Sequence, residues 1–293
     1  MVNSGMSDRI LMFFIYVSMC LIFAMIALPV LFIVASSFSS VDAVTSGRVY
    51  FWPVEFSLQG YEVALQSPSI TRSFLMSVFY TAAGTAISVG LTLLAAYPLS
   101  RRDLGIRSAV MVFFTVTMFI SGGMIPTYLL VRGLRLTDSV WAILLPGALS
   151  VWNMILARTY MLTSIPPELF ESASIDGCSD WRYFVSVVLP LSVPIIAVIV
   201  LYYAVSRWNA FFDAMIYLND RSLYPFQLVL RSILVQSSGG DFDLSLSEQM
   251  NKAALKNLLQ YSMIVISTAP ILALYPVVQK YFIKGIMVGS LKG

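Results

Sequence analysis

The sequence predicts an all-α integral membrane protein with six transmembrane helices, and three observations predict it. First, 58% of the 293 residues are hydrophobic and 11% are charged, less than half the roughly 25% charge of an ordinary soluble domain. Second, the apolar residues gather in six long uncharged runs. A β-barrel would show short segments of alternating polarity instead. Third, the net charge is only +3 and no stretch clusters five or six Lys/Arg residues, which excludes a basic nucleic-acid binder.

A spanning helix needs about 20 mostly apolar residues. Ile10–Ala35 is the first run, and its length of about 26 residues exceeds the 7–15 of a signal-peptide core. Ser-Ser-Phe-Ser-Ser (36–40) is no cleavage site, so a retained helix is expected. Ser73–Ser100 is the second run, and Thr81-Ala-Ala-Gly-Thr-Ala86 gives it a small face suited to close helix packing. Ser108–Val131 is the third. Ser139–Ala157, the shortest at about 19 residues, is the fourth; it still crosses roughly 30 Å at 1.5 Å per residue. Tyr183–Ser206 and Asn257–Gln279 complete the set. With their ends extended, the spans are placed at about 10–35, 73–100, 108–131, 139–160, 187–217 and 257–282 of a single transmembrane domain covering 1–293. Pro98, Pro126, Pro146, Pro190, Pro270 and Pro276 lie near span ends, where proline kinks or terminates a helix.

The loops set the orientation. Arg9, then Arg101, Arg102 and Arg107, then Lys280, Lys284 and Lys292 fall on one side of a six-helix path. Basic residues in short loops mark the cytoplasm, so both termini, Arg101–Arg107 and Arg158–Arg182 are expected there. Val41–Arg72 and Asp220–Lys256, with its Ser-Ser-Gly-Gly tip (237–240), then face outward.

Several chemistries are excluded. Without histidine there is no Ser-His-Asp or Cys-His catalysis and no His-ligated zinc. Cys20 and Cys178 have no partner at metal-ligand spacing and read as free thiols. No Gly-Lys dipeptide occurs, so a phosphate-binding loop is missing. The chain therefore needs ion coupling or a separate energy-supplying subunit. Ion coupling usually places carboxylates inside the spans, and the six runs hold none.

The loop from Ser164 to Arg182 carries the most information. Pro167 suits a first helical turn, and Glu168 and Glu171 sit favourably near that terminus. Gly177 is placed to end the helix in a left-handed conformation, and Asp180 to cap a second helix running towards Pro190. A helix of about ten residues is unstable alone in water and needs a partner surface.

Glu171-Ser172-Ala173, with Gly177 four residues on and Leu189-Pro190 beyond, resembles the EAA motif of ABC importer permeases. Ser172 replaces an alanine and Val187 an isoleucine of the usual pattern. Ser121-Gly-Gly-Met-Ile-Pro126, Trp208-Asn209-x-x-Phe212-Asp213 and the Lys284-Gly285-x-x-x-Gly289-x-x-Lys292-Gly293 ending are similar to sugar permeases of the maltose-permease (MalG-like) type. The LplC/YtcP-like carbohydrate permeases are the subgroup most resembled. The resemblance implies a type I ABC importer permease fold with a cytoplasmic coupling helix in a loop at about 163–186. Glu171 would anchor it, Ala173 would pack closely and Gly177 would turn the chain; Ser172, Asp176, Leu189 and Pro190 complete the motif. It also implies a second homologous permease subunit in a heterodimer, a cytoplasmic ATPase dimer and an extracytoplasmic solute-binding protein. ATP and Mg would bind the ATPase and no cofactor this chain. The setting would be the lipid of the bacterial inner membrane.

Candidate substrate contacts cluster on the fifth span: Tyr203, Arg207, Trp208, Asn209, Phe212 and Asp213. A helix starting near Leu191 reaches Arg207 after roughly 24 Å, past the bilayer midplane. A charge there faces a cavity or a partner, so Arg207 either lines the path, with Trp208 or Phe212 stacking on a sugar face, or forms a structural ion pair. Six residues put Arg207 and Asp213 roughly 120° apart on one helix, against a direct pair. A guanidinium there, with positive outer loops, suits an acidic oligosaccharide such as a uronate chain. Two rival classes fit the sequence less well. A self-powered secondary carrier of a small polar solute is disfavoured by the missing intramembrane carboxylates, and an intramembrane enzyme by the missing histidine.

Overall fold

The computed structural model describes residues 6–236, 255–273 and 276. All regular structure among them is helical. The helices are α1 (Met6–Ser37), α2 (Val41–Thr45), α3 (Gln59–Gln66), α4 (Pro68–Ser100), α5 (Arg107–Phe119), α6 (Met124–Gly133), α7 (Trp141–Leu144) and α8 (Val151–Ser164). They continue with α9 (Pro167–Ile175), α10 (Asp180–Tyr183), a π-helical turn at Phe184–Val188, α11 (Leu189–Leu191), α12 (Val193–Asn209), α13 (Phe212–Tyr217) and α14 (Phe226–Gln236). A further helix covers 255–273.

The first two runs form unbroken helices long and apolar enough to cross a membrane. The second starts at Pro68, five residues before its apolar run, because proline is pre-organised for the first turn. The third and fifth runs are broken. α5 and α6 meet at 114° and the α10–α11 stretch meets α12 at 80°. Gly123, at φ +82° with extended ψ, makes the first bend, a conformation only glycine adopts readily. At the second, Pro190 and Pro194 lack the N–H that would continue the helix. The fourth run is not one helix either: α7 stops at Leu144, Pro146 and Gly147 (φ +65°) interrupt it, and α8 follows. The span placed at 187–217 ends earlier as a helix, at Asn209, before α13. The last part of the span at 257–282, the 237–240 tip and the Lys284–Gly293 ending lie outside the described residues.

The described residues divide into two compact units. One comprises those up to Thr71 and those in Leu230–Ala269; the other comprises Arg72–Val229 and those from Pro270 onward. In the first, the apolar residues of α1 from Ile10 onward are almost all exposed, as a lipid-facing helix requires. The chain then turns on the 36–40 serines. Ser37 accepts from Tyr61 Oη at 2.8 Å, Ser39 accepts from the Val54 amide at 3.0 Å, and Ser40 caps α2. Phe38 lies against Phe56 and Tyr61. Gly60 lets α3 approach the 255–273 helix, since a Cβ there would clash with Ser262 Oγ.

The second unit holds the main core. Leu93, Ala96 and Leu99 of α4 pack with Met154, Ala157 and Met161 of α8, with Tyr183, Phe184 and Val188, and with Ile199 of α12. A second cluster joins Tyr80 to Ile143, Leu144, Ala214, Leu218 and Leu228. α8 runs past its apolar stretch and carries Arg158, whose Nε donates to the Leu99 carbonyl at 2.8 Å.

Candidate functional site

Two places in the second unit hold the residues of interest. The first is the loop after α8. Pro166 precedes α9, with Pro167 in its first turn and Glu168 beside it. The helix ends as its sequence requires. Gly177 has φ +71°, its N–H reaches the Ser174 carbonyl at 3.1 Å, and the Cys178 N–H reaches that of Ala173 at 2.9 Å. These two bonds define a Schellman motif, in which a left-handed glycine satisfies orphan carbonyls. The next cap is Ser179 and not Asp180: Ser179 Oγ accepts from the Arg182 amide, and Asp180 occupies the first turn. The shorter serine reaches the amide three residues on, while aspartate gains from the helix dipole.

α9 buries nothing fully. Phe170 and Ala173 touch the core, as does Cys178 after it. Glu171, Ser172 and Asp176 are exposed, and Ile175 is 86% exposed. Leu169 and Trp181 are exposed as well. The serines bond inward along their own helix, Ser172 to the Glu168 carbonyl at 2.9 Å and Ser174 to that of Phe170 at 2.8 Å. Leu189 packs partly on the core, and Pro190 is exposed just before the 80° bend. A cavity of about 270 Å³ opens between α9 and the end of α4, lined by Glu171, Phe170, Tyr97, Arg101 and Asp103 among others. The Arg101 guanidinium holds the Asp103 carboxyl below its usual value. A carboxylate depressed in this way keeps its ion pair through neutral pH. It loses it only as pH falls through that lowered value, below the ordinary value of about 4.

The second place is a cavity of about 500 Å³ beside the break in the fourth run. Pro146, Gly147, Ser150, Trp152 and Asn153 line one side, and Tyr202, Tyr203, Ser206, Arg207, Ala210 and Asp213 the other. Of the six fifth-span candidates, the structure brings Tyr203, Arg207 and Asp213 together here. Tyr203 Oη shares a 2.6 Å hydrogen bond with Thr92 Oγ1 and accepts from the Ser150 amide at 3.0 Å. Arg207 donates to the Ile143 carbonyl at 2.5 Å and the Leu144 carbonyl at 3.2 Å. Its stem lies on Gly84, where a Cβ would meet Nε at 3.2 Å. Within this chain, the acceptors it meets are the last carbonyls of α7. Hydrogen bonds from a charged group contribute about 1.5–3 kcal/mol each, so both help to hold the guanidinium against the end of α7.

The other three candidates lie elsewhere. Trp208 is buried edge-on against Phe74, with ring centroids 5.6 Å apart, and is not free to stack on a sugar. Asn209 folds its amide back onto the Val205 carbonyl at 2.9 Å. Phe212 is exposed and lies off the cavity wall. Sequence reasoning missed Trp152, Asn153 and Tyr202. The signal available was Pro146-Gly147, which breaks the fourth run and brings the start of α8 to the cavity. Trp152 and Tyr202 offer exposed aromatic faces. Asn153 is 5% exposed and lines the cavity. Aromatic walls with a few convergent polar groups suit a ligand rich in hydroxyls.

Comparison with known proteins decides the family. The chain is 43% identical over 291 residues to the polygalacturonan/rhamnogalacturonan transport system permease protein YtcP of Bacillus subtilis (strain 168), covering 98% of this chain and all of that one. It is 40% identical over 271 residues to protein LplC of the same organism, covering 92% and 90%. Residues 87–221 match the family described as binding-protein-dependent transport system inner membrane component. The chain belongs to this permease family. A crystal structure of a bacterial ABC transporter involved in import of the acidic polysaccharide alginate contains a chain 32% identical to this permease. The match has a TM-score of 0.86 and covers 96% of the permease and all of that chain. The matched segment of the permease, 87–221, contains both α9 and the cavity residues.

Proposed function

We propose that this permease forms one half of the translocation path of an ATP-driven importer of acidic oligosaccharides, with a second homologous permease as the other half. α9 is its coupling helix and docks in a groove of a cytoplasmic ATPase dimer. ATP and Mg belong to that ATPase, and a solute-binding protein delivers substrate from outside. The observation that carries the reading is α9 itself, a capped surface helix that leaves Leu169 and Ile175 uncovered on a chain of this family. Apolar side chains outside the bilayer favour a protein partner. The 500 Å³ cavity supplies the path, with Arg207, Asn153 and Tyr203 facing hydroxyls and carboxylates, and Trp152 and Tyr202 facing sugar rings. The names of two relatives, one for polygalacturonan and rhamnogalacturonan and one for alginate, support an acidic sugar.

Affinity purification of the tagged permease from its own membranes tests the docking. The wild type retains an ATPase subunit and a second permease, and Ile175→Glu retains the permease while losing the ATPase. Equal ATPase retention by both would refute α9 as the docking element.

A further inference from the structure

Arg101, the first residue after α4, lies in a surface loop, yet its side chain is only 14% exposed. Its guanidinium is almost fully engaged. Nε and Nη2 form a fork on Asp103 at 2.8 and 2.6 Å. Nη1 donates to Asp180 at 2.7 Å and to Tyr97 Oη at 3.1 Å. The flat face of the group lies 3.5 Å from the centroid of the Phe170 ring. One side chain therefore ties three elements together: α4 through Tyr97, α9 through Phe170 and α10 through Asp180. Four of its five N–H groups are used within the chain, so it has little left to offer a phosphate or a partner's carboxylate.

We infer that Arg101 is a positioning residue that transmits displacement of α9 to α4; the inference rests on the reading of α9 as the ATPase-docking helix. The reason is mechanical. α9 reaches the core through Phe170 and Ala173, and apolar contacts alone are non-directional and would let it slide. The fork on Asp103 fixes the plane of the guanidinium, and that fixed plane, stacked on Phe170 and bonded to Asp180, resists sliding of α9. At the other end of the linkage, α4 is one continuous helix of 33 residues, about 50 Å long. Along its length it meets Tyr203 at Thr92 and Arg207 at Gly84, both on the cavity wall. A push at α9 thus reaches the cavity wall along one unbroken helix.

The test uses the complete complex in proteoliposomes, with sugar moved and ATP hydrolysed both measured per assembled complex. In Arg101→Met, hydrolysis stays within about twofold of wild type, while sugar moved per ATP falls about tenfold, the scale of an ordinary coupling free energy. Arg101→Lys keeps the charge and loses the fork, and falls between the two. Adding Asp180→Asn to Arg101→Met lowers the ratio no further, because the contact is already gone. A wild-type ratio in Arg101→Met, or hydrolysis and transport falling by the same factor, overturns the inference. Ile175→Glu is the separate control. If it leaves the ATPase bound and coupled, the docking reading fails whatever Arg101 does. If it releases the ATPase while Arg101→Met couples normally, only the Arg101 role fails.

Discussion

Arg207 shows how the partners of one side chain can lie outside what a sequence displays. Its expected depth rests on 1.5 Å per residue along an apolar helix, and the need for compensation on the cost of a charge there. Its actual partners, the Ile143 and Leu144 carbonyls, were not legible, because they become available only where α7 stops short. Backbone acceptors leave no trace in side-chain composition. Arg207→Gln should therefore lower the stability of the assembled complex, because two charged hydrogen bonds of about 1.5–3 kcal/mol each are lost, seen as a lower melting temperature in detergent. An unchanged melting temperature would remove the capping role. Transport should fall as well, since the same side chain lines the cavity. Trp208 gives the opposite lesson. An aromatic beside a charge reads as a stacking platform, but Phe74, far away in sequence, covers it.

At the level of elements, α9 was legible almost residue by residue. Proline at its start, glycine at its end and acidic residues in its early turns encode local geometry that needs no tertiary information. The broken spans were less so. Hydropathy reports that a run is apolar, not that it is straight, and it passes over the Gly123 bend and the Pro190–Pro194 pair. The Pro-Gly break after α7 carried a signal, since Pro146-Gly147 is a turn dipeptide; its consequence, a cavity, did not. Gly177→Val forces a β-branched residue to φ +71°, at a cost of roughly 1–2 kcal/mol in the left-handed region. The variant should insert and assemble while moving less sugar per ATP. Glu171→Lys, which reverses the charge on the exposed middle of α9, should shift that ratio in the same direction. Wild-type ratios in both would mean that the shape and charge of α9 are irrelevant to coupling.

At the scale of the whole molecule, composition alone made this a membrane protein, and Arg/Lys placement predicts its orientation. In a background lacking Cys20 and Cys178, a cysteine at exposed Ser46 should react with an impermeant reagent applied outside intact cells. One at exposed Ser174 should react only after the membrane is opened. The reverse pattern would invert the topology and move α9 away from any cytoplasmic ATPase. The energy source is the central claim, and it is inferred from the absence of carboxylates in the six apolar runs as much as from what α9 displays. Uptake of a labelled oligogalacturonate by proteoliposomes holding the purified complex and its binding protein tests it most directly. Accumulation that requires ATP on the ATPase side and persists when every ion gradient is collapsed is the predicted result. Accumulation without ATP, driven by an imposed proton or sodium gradient, would contradict it and make the chain a self-powered carrier.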